Sequence, residues 1–97
     1  YNMSLNVGFS KLLINKSIKK NLIIIKLFRS ISSLKFYHLH KFFCQIKEDK
    51  DILLINSKLK NQNLTSFFLK NNILGTQFHP ELSGKEGLIF LKNFCNL

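Results

Sequence analysis

The chain contains a single proline, and its position constrains the fold more than any other residue. Pro80 stands in "ILGTQFHPELSGKEGL", residues 73–88, between His79 and Glu81, at the end of one apolar run and just before another. Proline fixes its own φ and pushes the preceding residue out of the helical region, so His79 is held extended. In an extended chain residues i and i+2 face one side, which brings the Glu81 carboxylate near the His79 imidazole. A carboxylate that accepts from one ring nitrogen fixes the tautomer and supports the imidazolium. The other nitrogen is then left to take a proton from a nucleophile. This is the base and orienter half of a nucleophilic triad. As a bare tripeptide, His-Pro-Glu marks a turn more often than a catalytic pair, so its neighbours have to decide.

Those neighbours read as strand before and helix after. Ser83 followed by Glu86 has the spacing of a capping box, in which hydroxyl and carboxylate satisfy backbone donors at a helix start. Leu88, Leu91, Phe94 and Cys95 then recur at helical spacing, leaving Lys85, Lys92, Asn93 and Asn96 for solvent. Upstream, "LTSFFLKNNILGTQF" is two apolar runs split by Asn71 and Asn72, residues that tolerate the positive φ of a hairpin turn. "ILLINS" and the aromatic "LKFYHLHKFFCQI" predict strands, and "LNVGFSKLLI" predicts an extended segment with Gly8 at a turn or close approach. In "KKNLIIIKLF" periodicity does not separate strand from short helix. A strand that ends in His-Pro-Glu and hands over to an amphipathic helix is an α/β pattern, with the histidine where such folds hold their chemistry.

Ninety-seven residues make at most one small domain, residues 1–97, with a thin core. The chain begins with Tyr1 rather than Met, as a piece of a longer protein would. A formal charge of +10 raises nucleic acid or anionic membrane as partners, but only Lys19 and Lys20 are adjacent and no Arg-rich run is present. Dispersed lysines describe a solvated surface, and neither nucleic acid nor membrane is expected as a partner. "NLIIIKLF" is interrupted by Lys26 and is much shorter than the roughly 20 residues of a membrane helix. No secretory segment is visible. Cys44 and Cys95 lie far apart without C-x-x-C spacing, so no disulfide or zinc site is indicated, and a reducing cytoplasm fits. His38 and His40 alternate with Leu39 and share one strand face, yet no further ligand is spaced to close a tetrahedral set. No metal or cofactor is expected.

The whole segment "GTQFHPELSGKEGLIFLKNF", Gly75 to Phe94, closely resembles the C-terminal signature of class I (triad-type) glutamine amidotransferases. That signature runs G-x-Q-F-H-P-E and continues into a helix with a Leu-x-Asn-Phe-like end. The resemblance implies a flavodoxin-like α/β fold present as its C-terminal half. It also implies a Cys-His-Glu triad acting on L-glutamine, with His79 as base and acid and Glu81 as its orienter. Within the family, the spacing of "HPELSGKEGL" is most like the glutaminase subunits of imidazole glycerol phosphate synthases. "KFYHLHKFF" resembles their Tyr-Phe-Val-His-Ser-Tyr-Tyr strand and "LNVGFSKL" their Pro-His-x-Gly-Trp-Asn segment. This finer resemblance implies ammonia supply to a cyclase (synthase) subunit in a heterodimer, histidine biosynthesis and a cytoplasmic location. It also places His40 near the glutamine site, as a lining residue or a structural one.

Three departures accompany the resemblance. Lys41 stands where the family has serine, Ser10 where it has asparagine, and no Gly-Cys-x-Gly segment is present to supply the nucleophile. Cys44 and Cys95 lack the neighbours to replace it and are expected to be packed in the core. The chain alone is therefore expected to be inactive. Two other readings stay open: an amidotransferase of a surface-sugar pathway, which tolerates Phe9, and a non-catalytic basic module that binds RNA or an acidic partner.

Overall fold

Asn71 takes φ 55°, in the left-handed region that asparagine tolerates, and the chain reverses between β4 (Gln62–Lys70) and β5 (Ile73–Thr76) with Lys70 opposite Ile73. The hairpin predicted from the paired asparagines is therefore present. The computed structural model describes residues 6–40, 45–59 and 61–97, and in it β1 (Asn6–Leu13), β2 (Lys35–His40) and β3 (Leu53–Leu59) complete a sheet of order β2-β1-β3-β4-β5. Every neighbouring pair runs antiparallel. The first six residues of β1, Asn6 to Lys11, pair with β2, but its last two, Leu12 and Leu13, pair with β3. One strand thus serves two neighbours in turn, and the sheet curls around it. The result is a mixed α/β domain with a curled antiparallel sheet and a terminal helix, a partial flavodoxin-like fold.

Gly8 carries φ +142°, with no atom close to where a Cβ would stand. It is required by its backbone conformation and not by a close approach. The segment whose periodicity left strand and helix open is a helix, α1 (Leu22–Leu27). Asn21 starts it: its side chain accepts from the backbone of Ile23 at 2.9 Å and of Ile24 at 3.1 Å. Ile24 and Leu27, three apart, are the buried positions, so tertiary burial overrides the β preference of the isoleucine run.

The core lies between the sheet and the two helices. Leu12, Phe36, Ile55, Phe67 and Leu69 from the sheet meet Ile24 and Leu27 of α1, Phe78, and Phe90 of α2 (Gly84–Cys95). Phe90 stacks with tilted or edge geometry on Phe28, Phe36 and Phe78 at 5.4, 5.9 and 5.4 Å between centroids. Burying one such ring is worth about 1.5–3 kcal/mol. The inward face of α2 is not the one its apolar spacing predicts. Gly87 and Phe90 are buried, whereas Leu88 and Phe94 are 66% and 48% exposed and Cys95 is exposed rather than packed in the core. Asn93, expected in solvent, donates from Nδ2 to the carbonyls of Leu27 and Arg29 at 2.8 and 2.9 Å and ties the two helices together. Cys44 and Lys41 lie outside the described residues. Among the described residues, no helix is long and apolar enough to cross a membrane.

Candidate active site

Phe78 fixes the site by being buried. It is 2% exposed, with its ring 4.6 Å from Phe36 and 5.4 Å from Phe90, so the next residue in the chain faces outward. The His79 backbone N–H donates to the Tyr37 carbonyl at 2.8 Å, which pins this point of the chain alongside β2. His79 itself is extended (φ −104°, ψ 98°), as Pro80 demands, and Pro80–Leu82 then form a single 3₁₀ turn. The pair forms as predicted, by a partly different route: an extended histidine meets a carboxylate on a turn, not on a continuing strand. His79 Nδ1 lies 3.1 Å from Glu81 Oε2. His79 Nε2 faces the Leu39 carbonyl at 3.3 Å. Both acceptors can be served at once only by the doubly protonated ring.

The bond from the His79 ring, joined by one from the Glu81 backbone, holds the Glu81 carboxyl below its ordinary pKa of 4.5. The side chains of His79 and Glu81 are 38% and 60% exposed, so this is a surface pair screened by water. A depression of about 810 Å³, lined in part by Asn15, Lys20, Asp49 and Lys50, shares no residue with it.

The capping box predicted for Ser83 and Glu86 is not formed. Ser83 occupies the N-cap position of α2 without capping it. Its hydroxyl donates to the His79 carbonyl at 2.6 Å and accepts from the Tyr37 N–H at 2.8 Å. Glu86 instead accepts from the backbone and hydroxyl of Ser32 at 3.2 and 3.3 Å, tethering α2 to the loop before β2. Gly87 permits α2 to lie against the turn, because a Cβ there would run into the Pro80 carbonyl.

His38 and His40 share one face of β2 as predicted, and that face is interior: they are 0% and 9% exposed, with rings 6.0 Å apart. Burial lowers the His38 pKa from 6.5. Its Nδ1 lies 3.0 Å from the Phe36 carbonyl and its Nε2 3.0 Å from the Ser66 hydroxyl, itself 2.7 Å from that of Ser57. Ser66 reaches inward because the β3–β4 register slips there: Ile55 pairs with Phe67, but Asn56 pairs with Thr65. Sequence reasoning missed both serines. The trace of Ser66 is a pair of hydroxyl residues, Thr65 and Ser66, interrupting the apolar run of β4, and that of Ser57 is the serine closing "ILLINS". Ser10, in place of the family's asparagine, donates to the Lys58 carbonyl at 2.6 Å. Among the described residues no group of side chains is arranged to hold a metal ion.

Residues 7–96 match the sequence profile of class-I glutamine amidotransferases, and the chain belongs to that family. Among curated proteins it is similar to imidazole glycerol phosphate synthase subunit HisH of Leptospira interrogans, 38% identical over 63 residues, which are 65% of this chain and 30% of that protein. HisH of Pyrococcus furiosus is 35% identical over 72 residues, 74% of this chain and 37% of that protein. Subunit HisH 2 of Methanococcus maripaludis is 41% identical over 64 residues, 66% and 31% respectively. The chain spans about a third of the length of these relatives.

Proposed function

We propose that residues 1–97 are the C-terminal part of an amidotransferase domain and supply the base side of its glutaminase site. The observation that carries this is the 3.1 Å contact between His79 Nδ1 and Glu81 Oε2, in the segment that bears the family's signature. In this reading Glu81 orients the ring and supports its positive charge, while Nε2, turned toward the Leu39 carbonyl here, takes the proton of a cysteine thiol. The thiolate attacks the side-chain amide carbon of L-glutamine and a C–S bond forms. The C–N bond breaks as His79 returns its proton, releasing ammonia, and water then hydrolyses the thioester to glutamate. His40, one residue past the carbonyl that faces His79, is the third residue assigned to the glutamine site.

The nucleophile comes from the remaining two thirds of the domain. Cys95 ends α2, and the 12 residues of that helix, at about 1.5 Å each, place it far from the turn at the other end. The relatives described above all carry the HisH name, which favours a cyclase subunit as ammonia acceptor, in histidine biosynthesis in the cytoplasm, over a surface-sugar pathway. An electrophilic glutamine analogue tests the assignment. In the whole domain it should label a cysteine upstream of this chain, and the label should vanish in His79→Ala. Labelling of Cys44 or Cys95 would refute it.

A further inference from the structure

The backbone groups of Tyr37 and His79 face each other, yet only one of their two possible bonds is direct. The His79 N–H donates to the Tyr37 carbonyl at 2.8 Å. The Tyr37 N–H does not return the bond to the His79 carbonyl. Instead the Ser83 hydroxyl stands between them, accepting from Tyr37 at 2.8 Å and donating to His79 at 2.6 Å. It closes a ring of three hydrogen bonds that links the two backbones through a side chain. A hydroxyl can do both jobs at once, since it carries one donor hydrogen and two lone pairs. Ser83 is 3% exposed, so water does not share the role freely.

From this geometry we infer that Ser83 is a positioning residue for His79, a wedge that holds the histidine's carbonyl one hydroxyl away from β2. With the wedge in place, the chain leaves β2 at His79 and enters the Pro80 turn at the angle that brings Glu81 under the ring. Without it, the Tyr37 N–H and His79 carbonyl close on each other as an ordinary pair, and the histidine backbone is drawn onto β2. The turn is anchored on its far side by Pro80 against Gly87, so it does not follow. Nδ1 and Glu81 then separate. The proposal deepens the reading of His79 as the base and rests on it.

The test reads the pair directly. The chain has three glutamates, Glu48, Glu81 and Glu86, so glutamate labelled with carbon-13 at its carboxyl gives three resolvable titrations. In the unaltered chain the contact with His79 depresses that of Glu81. In Ser83→Ala the Glu81 midpoint should rise toward an ordinary glutamate while Glu48 and Glu86 keep theirs, and Ser83→Thr, which retains the hydroxyl, should keep all three. Where the alanine variant does not fold, Ser83→Cys, close in volume and a weak donor, reads the same shift. In the whole domain, kcat for glutamine hydrolysis should fall at least tenfold in Ser83→Ala, with KM changed less than twofold. An unmoved Glu81 titration in a folded Ser83→Ala, or the same shift in Ser83→Thr, would overturn the proposal. The titration is blind to turnover, so inactivity of the whole domain would count against the glutaminase reading and leave the wedge to stand or fall on its own result.

Discussion

Phe78 and His79 are adjacent in the chain and end on opposite sides of it, Phe78 at 2% exposure and His79 at the surface beside Glu81. The proline made the extended histidine legible in the sequence, because its effect on the preceding residue is local and steric. The place of the histidine beside β2 was not legible, since that depends on a 2.8 Å bond to Tyr37, far away in the chain. Glu81→Gln keeps the shape of the side chain and removes its charge. In the whole domain it should lower kcat about 10²-fold or more with a smaller change in KM, as expected when an imidazolium loses its partner. His38 gives a separate expectation. Its folded pKa lies below 6.5 because burial opposes charge, so the unfolded state takes up a proton first as the pH drops. Its contribution to stability is present above pH 6.5 and is lost as the pH falls toward the lower folded value. Thermal melts between pH 7.5 and 5 should show the midpoint falling, and His38→Phe should flatten that dependence, since the Ser57 and Ser66 hydroxyls still bond each other. A midpoint that falls equally in the variant would assign the pH dependence to other groups.

Elements whose signals are local came through intact: the Asn71 hairpin, the strand of "ILLINS" and the helix after Pro80. The errors lie where a local pattern was captured by a distant partner. Ser83 and Glu86 have capping-box spacing, but β2 claims one side chain and Ser32 the other. The apolar stripe of α2 is rotated from its buried face because Gly87 and Phe90 fit between the Pro80 turn and the phenylalanine cluster. Glycine inside a helix ordinarily weakens it by about 0.5–1 kcal/mol relative to alanine. At position 87 the sign should reverse: Gly87→Ala overpacks the contact with Pro80 and should destabilise by about 1–3 kcal/mol, read as a lower melting temperature. Phe90→Ala, which empties the centre of the cluster, should cost about 3–5 kcal/mol in denaturant unfolding. A neutral Phe90→Ala would mean that α2 does not close the core.

At the scale of the whole molecule, the exposed side of α2 presents Leu88, Leu91 and Phe94, with Leu97 just past its end, all 37–66% exposed, while Val7, Phe9 and Leu39 lie open on the outer side of β1 and β2. If residues 1–97 are the C-terminal part of a longer domain, as proposed, faces of this kind are the surfaces its remainder would cover. An apolar fluorescent dye should therefore bind the 97-residue chain and be displaced when the upstream part is restored. The family was legible because its signature is one continuous segment. The proposed nucleophile was not, because the members of a triad act as a unit but are assembled from separate parts of a chain. Ammonia release from glutamine tests that division of labour most directly, with the chain alone, the reconstituted domain and the reconstituted domain carrying His79→Ala measured side by side. The chain alone should release none above background, the whole domain should turn over, and His79→Ala should lower that rate by about 10²–10⁴-fold. Turnover by the chain alone that Cys44→Ala or Cys95→Ala abolishes would contradict the account, because the nucleophile would then lie within these 97 residues.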